Sequence, residues 1–435
     1  MVRLFTIISR YILIFLFALY TFDGFFALRS GLSKSKEKGL YYLQNIWTLL
    51  LISLCNVILY LNTENATYIV LMISEITLVI ALQIIYKAAY TGINNALLNH
   101  LCMLLSLGLI IISRLNTDRA IKQLIIAIFA AVVTSIIPVL IKKFDFWEDL
   151  QKLYAVLGII SLIIVLVAGQ TVYGAKISLN IGGFSFQPTE FVKIFFVLGI
   201  SAALKNAKNG RDYLILTIVS FIHIGILVLS RDLGGAVILF MIFLLLVYLK
   251  TAKLWILVSG GTLVVSGLFI AGKLMAHVQS RISAWVDPIS VIDNAGYQVS
   301  QSLFAIGTGS WLGSGLTLGM PEKIPVVSKD FIFAAISEEL GAVFGICLIF
   351  TYVSCIILIM NLAMQKKDTF SSLAAAGFGI AFGFQSFLSI GGVIKFIPST
   401  GVTLPFISAG GSSTIAFFIM FSCIQGMGMK KEVKA

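Results

Sequence analysis

Four stretches of this chain hold acids, bases and hydroxyls where the surrounding sequence is apolar. The first is Gly174-Ala-Lys-Ile-Ser-Leu-Asn-Ile-Gly-Gly-Phe-Ser-Phe-Gln-Pro-Thr-Glu-Phe-Val-Lys193. Pro188 suits the first turn of a helix, Thr189 and Glu190 suit its amino-terminal dipole, and Lys193 shares a helix face with Glu190. One reading is a capped helix start with a surface ion pair. The other is a binding position, because a cation one turn into an apolar helix is costly without a partner or a ligand. The second stretch is Ser230-Arg-Asp-Leu-Gly-Gly235, where Arg231 and Asp232 occupy what is either a simple turn or a charged site. The third runs from His277 to Lys329 with its exit to Gly341. It carries Arg281, Asp287 and Asp293, then Asp330, and two helical turns later Glu338 and Glu339. Those acids either face a ligand or pair with Arg281 or Lys193 to hold helices together, since unpaired acids in apolar surroundings are expensive. The fourth, Lys395 to Ser413, breaks a helix with two prolines and several glycines, and such backbone is tolerated at membrane depth only where protein or a water-filled cavity lines it. Backbone N–H groups from Gly410 to Ser413, beside the Ser412 hydroxyl, suit an anion. Together the four predict an outward-facing cleft open to lipid and water, fit for an amphiphile with a phosphate-bearing head and a lipid tail.

The elements that position these residues are membrane helices. Of 435 residues, 59% are hydrophobic and 11% charged. Apolar runs of about 20 residues, the length that crosses the hydrocarbon core, recur along the chain without period-2 alternation. The fold class is therefore all-α, a polytopic helical membrane protein with about twelve or thirteen spans and a long extracytoplasmic loop. Thirteen candidates begin near Leu4, Gln44, Thr67, Ala96, Ile121, Lys152, Glu190, Tyr213, Leu233, Leu254, Phe331, Phe370 and Leu404. The net charge of +12 sits mostly at helix ends, which argues for membrane topology and against a nucleic-acid partner. Basic residues place inside the loops at Arg29 to Lys38, Lys142 to Lys152, Lys205 to Arg211, Lys250 with Lys253, Lys366 with Lys367, and the tail Lys430 to Lys434. Asn62 to Thr67, Gly174 to Thr189, Ser230 to Gly235, the long loop and Lys395 to Leu404 then fall outside. The first helix is awkward: an odd count leaves Met1 outside, against Arg3 and Arg10. The run Leu4 to Phe26 has no usual small-residue cleavage site and reads as a retained span. Five cysteines lie inside apolar runs and three histidines are scattered, a pattern of buried hydrophobes and not of disulfides or a metal set. Among the early spans, Glu75 and Asn56 stand out, either as a helix-to-helix hydrogen bond or as a functional acid.

The ordered motifs from Gly174 onward, namely GAK with GGFSFQPTEFVK, RDLGG, GYQVSQSLFAIGTG, DFIFAAISEELG and STGVTLPFISAGGSS, resemble the SEDS proteins of bacteria, of the FtsW/RodA/SpoVE type. The resemblance divides the chain into 1–143, amino-terminal helices comprising extra spans plus early core, and 144–435, a glycosyltransferase core with its extracytoplasmic loop at 274–330. It implies a multi-pass protein of the bacterial cytoplasmic membrane that polymerises lipid II into peptidoglycan strands on the outer face, in elongation, division or sporulation. It also implies a class B penicillin-binding transpeptidase as partner. In that reaction a sugar C4 hydroxyl attacks an anomeric carbon and undecaprenyl diphosphate leaves, which needs a base and cations or a metal for the developing charge. No cofactor is assigned; a divalent cation among the acids fits the chemistry without a defined site. Glu190, Lys193, Asp232, Asp330, Glu338 and Glu339 carry over by motif, and Lys176, Arg281, Gln301, Ser302, Lys395 and Ser412 complete the substrate-binding candidates. The family's usual catalytic Asp position holds Val291, so Asp293 is the favoured base and Asp287 the reserve. A two-residue shift moves a carboxylate roughly 7 Å along an extended chain. Other departures are Ile177-Ser178 for Arg-Trp, Ser230-Arg231 for Gln-Pro, Lys395 for a small residue and Ala409 for Tyr. Val291 leaves open a catalytically weak relative that binds lipid II or a transpeptidase and regulates it, and broken helices with buried charges leave open a lipid-linked precursor flippase.

Overall fold

The computed structural model describes residues 1–29, 31–172, 175–181 and 184–429. Gly174, Gly182 and Gly183 of the first motif and the basic tail Lys430 to Lys434 lie outside them. The described chain is helical apart from one small sheet. In order come α1 (Val2–Ala27), α2 (Lys34–Thr63), α3 (Thr67–Ala89), α4 (Asn95–Leu115), α5 (Thr117–Thr134), α6 (Ile137–Lys143) and α7 (Gln151–Ala168). Strands β1 (Gln170–Val172), β2 (Ala175–Ile181) and β3 (Phe184–Phe186) follow, in the antiparallel order β1-β2-β3. Then come α8 (Pro188–Asn206), α9 (Gly210–Leu229), α10 (Leu233–Thr251), α11 (Leu254–Leu274), α12 (Ala276–Val286), α13 (Tyr297–Gly309), α14 (Ile332–Met364), α15 (Thr369–Val393) and α16 (Gly411–Met429).

Among the described residues, twelve helical segments are long and apolar enough to cross a membrane, with α5 and α6 forming one span broken ahead of Pro138. The thirteenth expected span exists as α8, but Glu190, Lys193 and Lys205 make it too charged to count on composition. Two expectations need correction. The last span begins at Gly411 and not near Leu404, because residues 404–410 form turns around Pro405 in which Phe406 takes a φ of 64°. Helices α12 and α13 occupy much of the long loop. The outer segment after α7, read from sequence as a loop, contains the sheet.

The chain packs as two units. One comprises Met1–Ala131, Ser283–Leu358 and Ser389–Gly410. Its axis is α4, whose apolar stretch is wholly buried. Polar side chains fasten neighbouring helices to it: His100 bonds the Tyr20 hydroxyl at 2.8 Å and Ser354 Oγ at 2.9 Å. Asn99 accepts from Gln83 at 2.9 Å and donates to Gln44 Oε1 at 3.0 Å. Gly108 lets the 404–408 turn lie directly on α4, because a Cβ there would come within 2.5 Å of the Phe406 carbonyl oxygen. Between α2 and α3, Asn56 donates to Glu75 at 3.3 Å, which is the helix-to-helix hydrogen bond. The awkward first helix is settled in the same unit. Arg10 donates to the Gly313 carbonyl of the outer loop at 2.8 Å, and Thr6 accepts from Asn62 at the outer end of α2 at 2.9 Å, so the amino end of α1 lies with the outer elements.

The other unit comprises Val132–Ile282, Ile359–Leu388 and the chain from Gly411 to the end of the described residues. Here α8 packs against α7 and α16, and α7 also against α9, and small residues bring helices close. A Cβ at Gly158 would meet His223 Nε2 at 2.5 Å, and one at Gly377 would meet Val197 at 2.7 Å. Lys205 closes the cytoplasmic side by bridging Glu148 and Asp368.

Candidate functional site

In the second unit, Pro188 opens α8 and the preceding Gln187 N–H donates to Ser412 Oγ at 3.0 Å, tying the start of α8 to the start of α16. One turn later Lys193 Nζ lies 2.7 Å from Glu190 Oε2, and it also donates to Gln385. Lys193 sits 5.2 Å from the centre of the Phe417 ring, a cation–π distance. Its side chain is only 5% exposed, so the ion pair is not at the surface. Asp232 caps α10, its Oδ1 accepting the Gly235 N–H at 2.9 Å. The motif glycine is required there, because a Cβ on Gly235 would lie 2.7 Å from the carboxylate. Burial pushes the Asp232 carboxyl above the ordinary aspartate range, with the Glu190 charge adding to it and the Gly235 hydrogen bond, Lys193 and Arg281 opposing. Arg231 beside it adopts a left-handed φ of 62°. His277 in α12 is pushed down by burial and by the charges of Arg281 and Arg231. Lys176 is exposed; its ammonium donates to the Leu166 carbonyl at 3.2 Å, and its backbone N–H to Ser230 at 2.9 Å, docking β2 on the RDLGG turn. Glu190, Lys193, Asp232 and Arg281 thus form one interacting cluster. It offers cations and helix-start N–H groups to an anion.

The first unit holds the remaining predicted residues, and most have structural partners. Glu339, 1% exposed, pairs with Arg114 at 3.0 Å and accepts the Thr317 N–H at 3.1 Å. Glu338 accepts the Met320 N–H at 2.8 Å. These acids clamp the outer loop, with Arg114 as their cation in place of Arg281 or Lys193. Ser302 is fully buried and donates to the Val393 carbonyl at 2.9 Å, so its hydroxyl is committed to joining α13 to the end of α15. Gln301 and Asp330 are half-buried. Lys395 takes a left-handed φ of 60°, and its carbonyl accepts from Trp285 at 3.2 Å.

The two candidate bases differ. Asp287 is exposed and its Oδ1 accepts the N–H groups of Ile289 and Ser290, both at 3.2 Å, so it shapes the turn. Asp293 is exposed, and among the described residues no hydrogen bond holds its carboxylate. Val291 is half-buried. A Cβ on Gly296 would lie 3.0 Å from its side chain and 2.1 Å from the Pro288 carbonyl, which fixes glycine in the GYQ motif.

Sequence reasoning missed Arg114, Arg119, Gln385 and Phe417. Arg119 donates to Ser328 at 2.9 Å. Arg114 was findable by the argument applied to Lys193, because it too is a cation at the end of an apolar run. Among the described residues, no three His, Cys, Asp or Glu side chains form a metal-holding group.

A family model described as "Cell cycle protein", FtsW/RodA/SpoVE, matches residues 92–432. The peptidoglycan glycosyltransferase RodA of Mycobacterium tuberculosis is 38% identical over 268 residues, 58% of this chain and 57% of that protein. The probable peptidoglycan glycosyltransferase FtsW of Aliivibrio salmonicida is 34% identical over 296 residues, 64% of this chain and 72% of its own. The matched region spans little more than half the length of the mycobacterial relatives. Among solved structures, one described as "Structural coordination of polymerization and crosslinking by a peptidoglycan synthase complex" superposes with a TM-score of 0.65 at 22% identity, covering 78% of this chain and 98% of that one. The rod shape determining protein RodA of Thermus thermophilus gives 0.58 at 22% identity, with the same coverage of 78% and 98%. At that identity the structural likeness speaks for the fold, and the motif order and family match carry the rest: this multi-pass bacterial membrane protein belongs to the FtsW/RodA/SpoVE family.

Proposed function

We propose that the protein polymerises lipid II, an undecaprenyl-diphosphate-linked disaccharide peptide, into glycan strands on the outer face of the cytoplasmic membrane. The observation that carries this reading is the buried Lys193–Glu190 pair beside Asp232 and Arg281, on elements that the charge pattern places at the outer ends of membrane helices. A cation held at that depth suits the diphosphate of a lipid whose tail stays in the bilayer. The names of the relatives, peptidoglycan glycosyltransferases RodA and FtsW, point to the same chemistry.

In the proposed reaction the C4 hydroxyl oxygen of one lipid-linked sugar bonds to the anomeric carbon of another chain. The carbon–oxygen bond to undecaprenyl diphosphate breaks, and the hydroxyl proton passes to a carboxylate. Asp293 is the better base because its carboxylate is uncommitted, whereas that of Asp287 is occupied by two backbone N–H groups. Lys193, Arg281 and the exposed Lys176 meet the charge that builds on the leaving diphosphate. A class B penicillin-binding transpeptidase as partner is supported by the synthase-complex neighbour.

The test is polymerisation of lipid II by the purified protein, with and without its cognate transpeptidase. Wild type is expected to make strands, and Asp293→Asn to lower the rate by about 100-fold or more, the scale of general-base loss. Asp287→Asn is expected to retain most activity. A wild type that makes no strands with its partner and divalent cations present, while still binding lipid II, would replace the enzyme with a binding regulator.

A further inference from the structure

A cavity of about 640 Å³ opens between α9, α10 and α11, all within the second unit. Its volume lies in the range of ligand pockets. The walls are apolar: Leu216, Phe221, Phe240, Phe243, Val247 and Leu263. The polar lining gathers toward one end, where Tyr213 and Thr217 of α9, Thr251 of α10 and Lys253 ahead of α11 meet Trp255. That end belongs to the basic loops at Lys205 to Arg211 and Lys250 with Lys253, which the positive-inside rule assigns to the cytoplasm.

The cavity exists because α11 stands off its neighbours. Gly260 is its one buried residue, and it touches α10 so closely that a Cβ would lie 2.3 Å from Leu244. The chain enters α11 through Ala252, held at a left-handed φ of 53°. The cavity runs along this contact, from Thr251, Lys253 and Trp255 at one end to Phe240 and Leu263 past it, between three helices long and apolar enough to cross a membrane. Lys253 is exposed, and among the described residues no acid pairs with it. The nearest acid in sequence on α9, Asp212, is occupied in capping that helix through the N–H groups of Lys208 and Asn209.

We propose that this cavity binds an anionic diacyl phospholipid of the cytoplasmic leaflet, with an acyl chain in the apolar slot and its phosphate at Lys253. Three features choose that occupant. The slot lies between three helices long and apolar enough to cross a membrane; its only charged lining residue is a cation; and that cation sits on the side where anionic lipids attract basic residues. Trp255 supplies an amphipathic ring at the headgroup level. The site is independent of the polymerisation chemistry and stands whether or not that reading holds.

The experiment uses the full-length protein in phosphatidylcholine vesicles doped with phosphatidylglycerol brominated on its acyl chains, reading quenching of Trp255 as the difference between wild type and Trp255→Phe. Brominated phosphatidylglycerol is expected to quench at several-fold lower mole fraction than brominated phosphatidylcholine. Lys253→Gln should cut that preference about fivefold, the scale of one basic residue at an anionic surface. Thr217→Phe, which fills the slot without adding a second tryptophan and leaves the rim intact, should abolish it. Equal quenching by the two lipids, or an unchanged preference in both variants, would overturn the proposal. Displacement of the brominated lipid by equimolar polyprenyl phosphate, or by a second copy at high protein-to-lipid ratio, would overturn the assignment to a diacyl lipid.

Discussion

Lys193 lies 2.7 Å from Glu190 with Gln385 and Phe417 around it, so removing the cation leaves a nearly buried carboxylate. Loss of one partner from such a pair costs about 3–5 kcal/mol when burial is complete. Lys193→Met is therefore expected to lower the melting temperature in detergent more than Lys193→Met combined with Glu190→Gln, with a coupling of about 1–3 kcal/mol in a double-mutant cycle. Asp232 makes a pH prediction. Its folded carboxyl titrates above the ordinary aspartate value of about 3.9, so the folded state keeps a proton that the unfolded chain gives up. Its contribution therefore favours the fold at low pH and is lost as pH rises through the folded value. Asp232→Asn should flatten the alkaline side of that part of the melting-temperature profile, and an unchanged profile would contradict the assignment. Lys193, Glu190 and Asp232 were legible because charge in an apolar run is conspicuous. Gln385 was not, since an uncharged amide in a helix carries no cost visible without its neighbours. Arg114 was passed over as an ordinary helix-end charge, although Glu339 depends on it.

Helix α14 shows how an element can be interrupted on purpose. Gly341 holds a φ of 89° and a ψ of 167° inside what is otherwise one helix. The helix break leaves backbone groups unpaired, and the outer loop takes them up. Ser314 and Gly315 donate to the Glu338 and Glu339 carbonyls at 2.9 Å each, while Ala342 and Val343 donate to Ser310 and Trp311 at 2.9 and 3.1 Å. Side-chain carboxylates of the same two glutamates hold the next turn. Gly341→Ala is expected to yield little monodisperse protein on size exclusion. Its left-handed φ costs about 1–2 kcal/mol, and its Cβ would come within 2.3 Å of the Gly313 nitrogen. Gly261→Ala on α11, with nothing within 4 Å of the new methyl, should leave the elution profile unchanged. From sequence, EELG reads as two acids at the head of a span. That their main function is to hold a loop was hidden, because pairing of a loop with a broken helix has no periodic signature.

Across the whole molecule, the topology read from lysines and arginines matches twelve apolar spans plus α8, and the odd total puts the amino end of α1 outside. The contacts of Arg10 and Thr6 explain how Arg10 is tolerated there, since the guanidinium is held by the Gly313 carbonyl and the Tyr11 hydroxyl. Four of the five native cysteines are buried and the fifth is half-buried. A cysteine introduced at Arg3 or Asn65 should react with a membrane-impermeant maleimide in intact cells, and one at Lys366 only after permeabilisation. Labelling of Lys366→Cys in intact cells would reverse the orientation. Span number and the motif order were open in the sequence because hydropathy is a local property. The division into two interleaved units was not, because it depends on which distant segments pack.

The hydrogen bonds around α4 bear on which helices the molecule can lose. Helices α1, α2 and α3 precede the residues matched by the family model, yet Tyr20, Gln44 and Gln83 on them satisfy His100 and Asn99 on a helix inside the match. Deleting those helices would take Tyr20 from His100, which keeps Ser354, and would take Gln44 and Gln83 from Asn99, at about 1–3 kcal/mol for each buried group left unsatisfied. Helices α1 to α3 and α4 therefore share one buried polar network, and a truncation ahead of residue 92 has to change Asn99 as well.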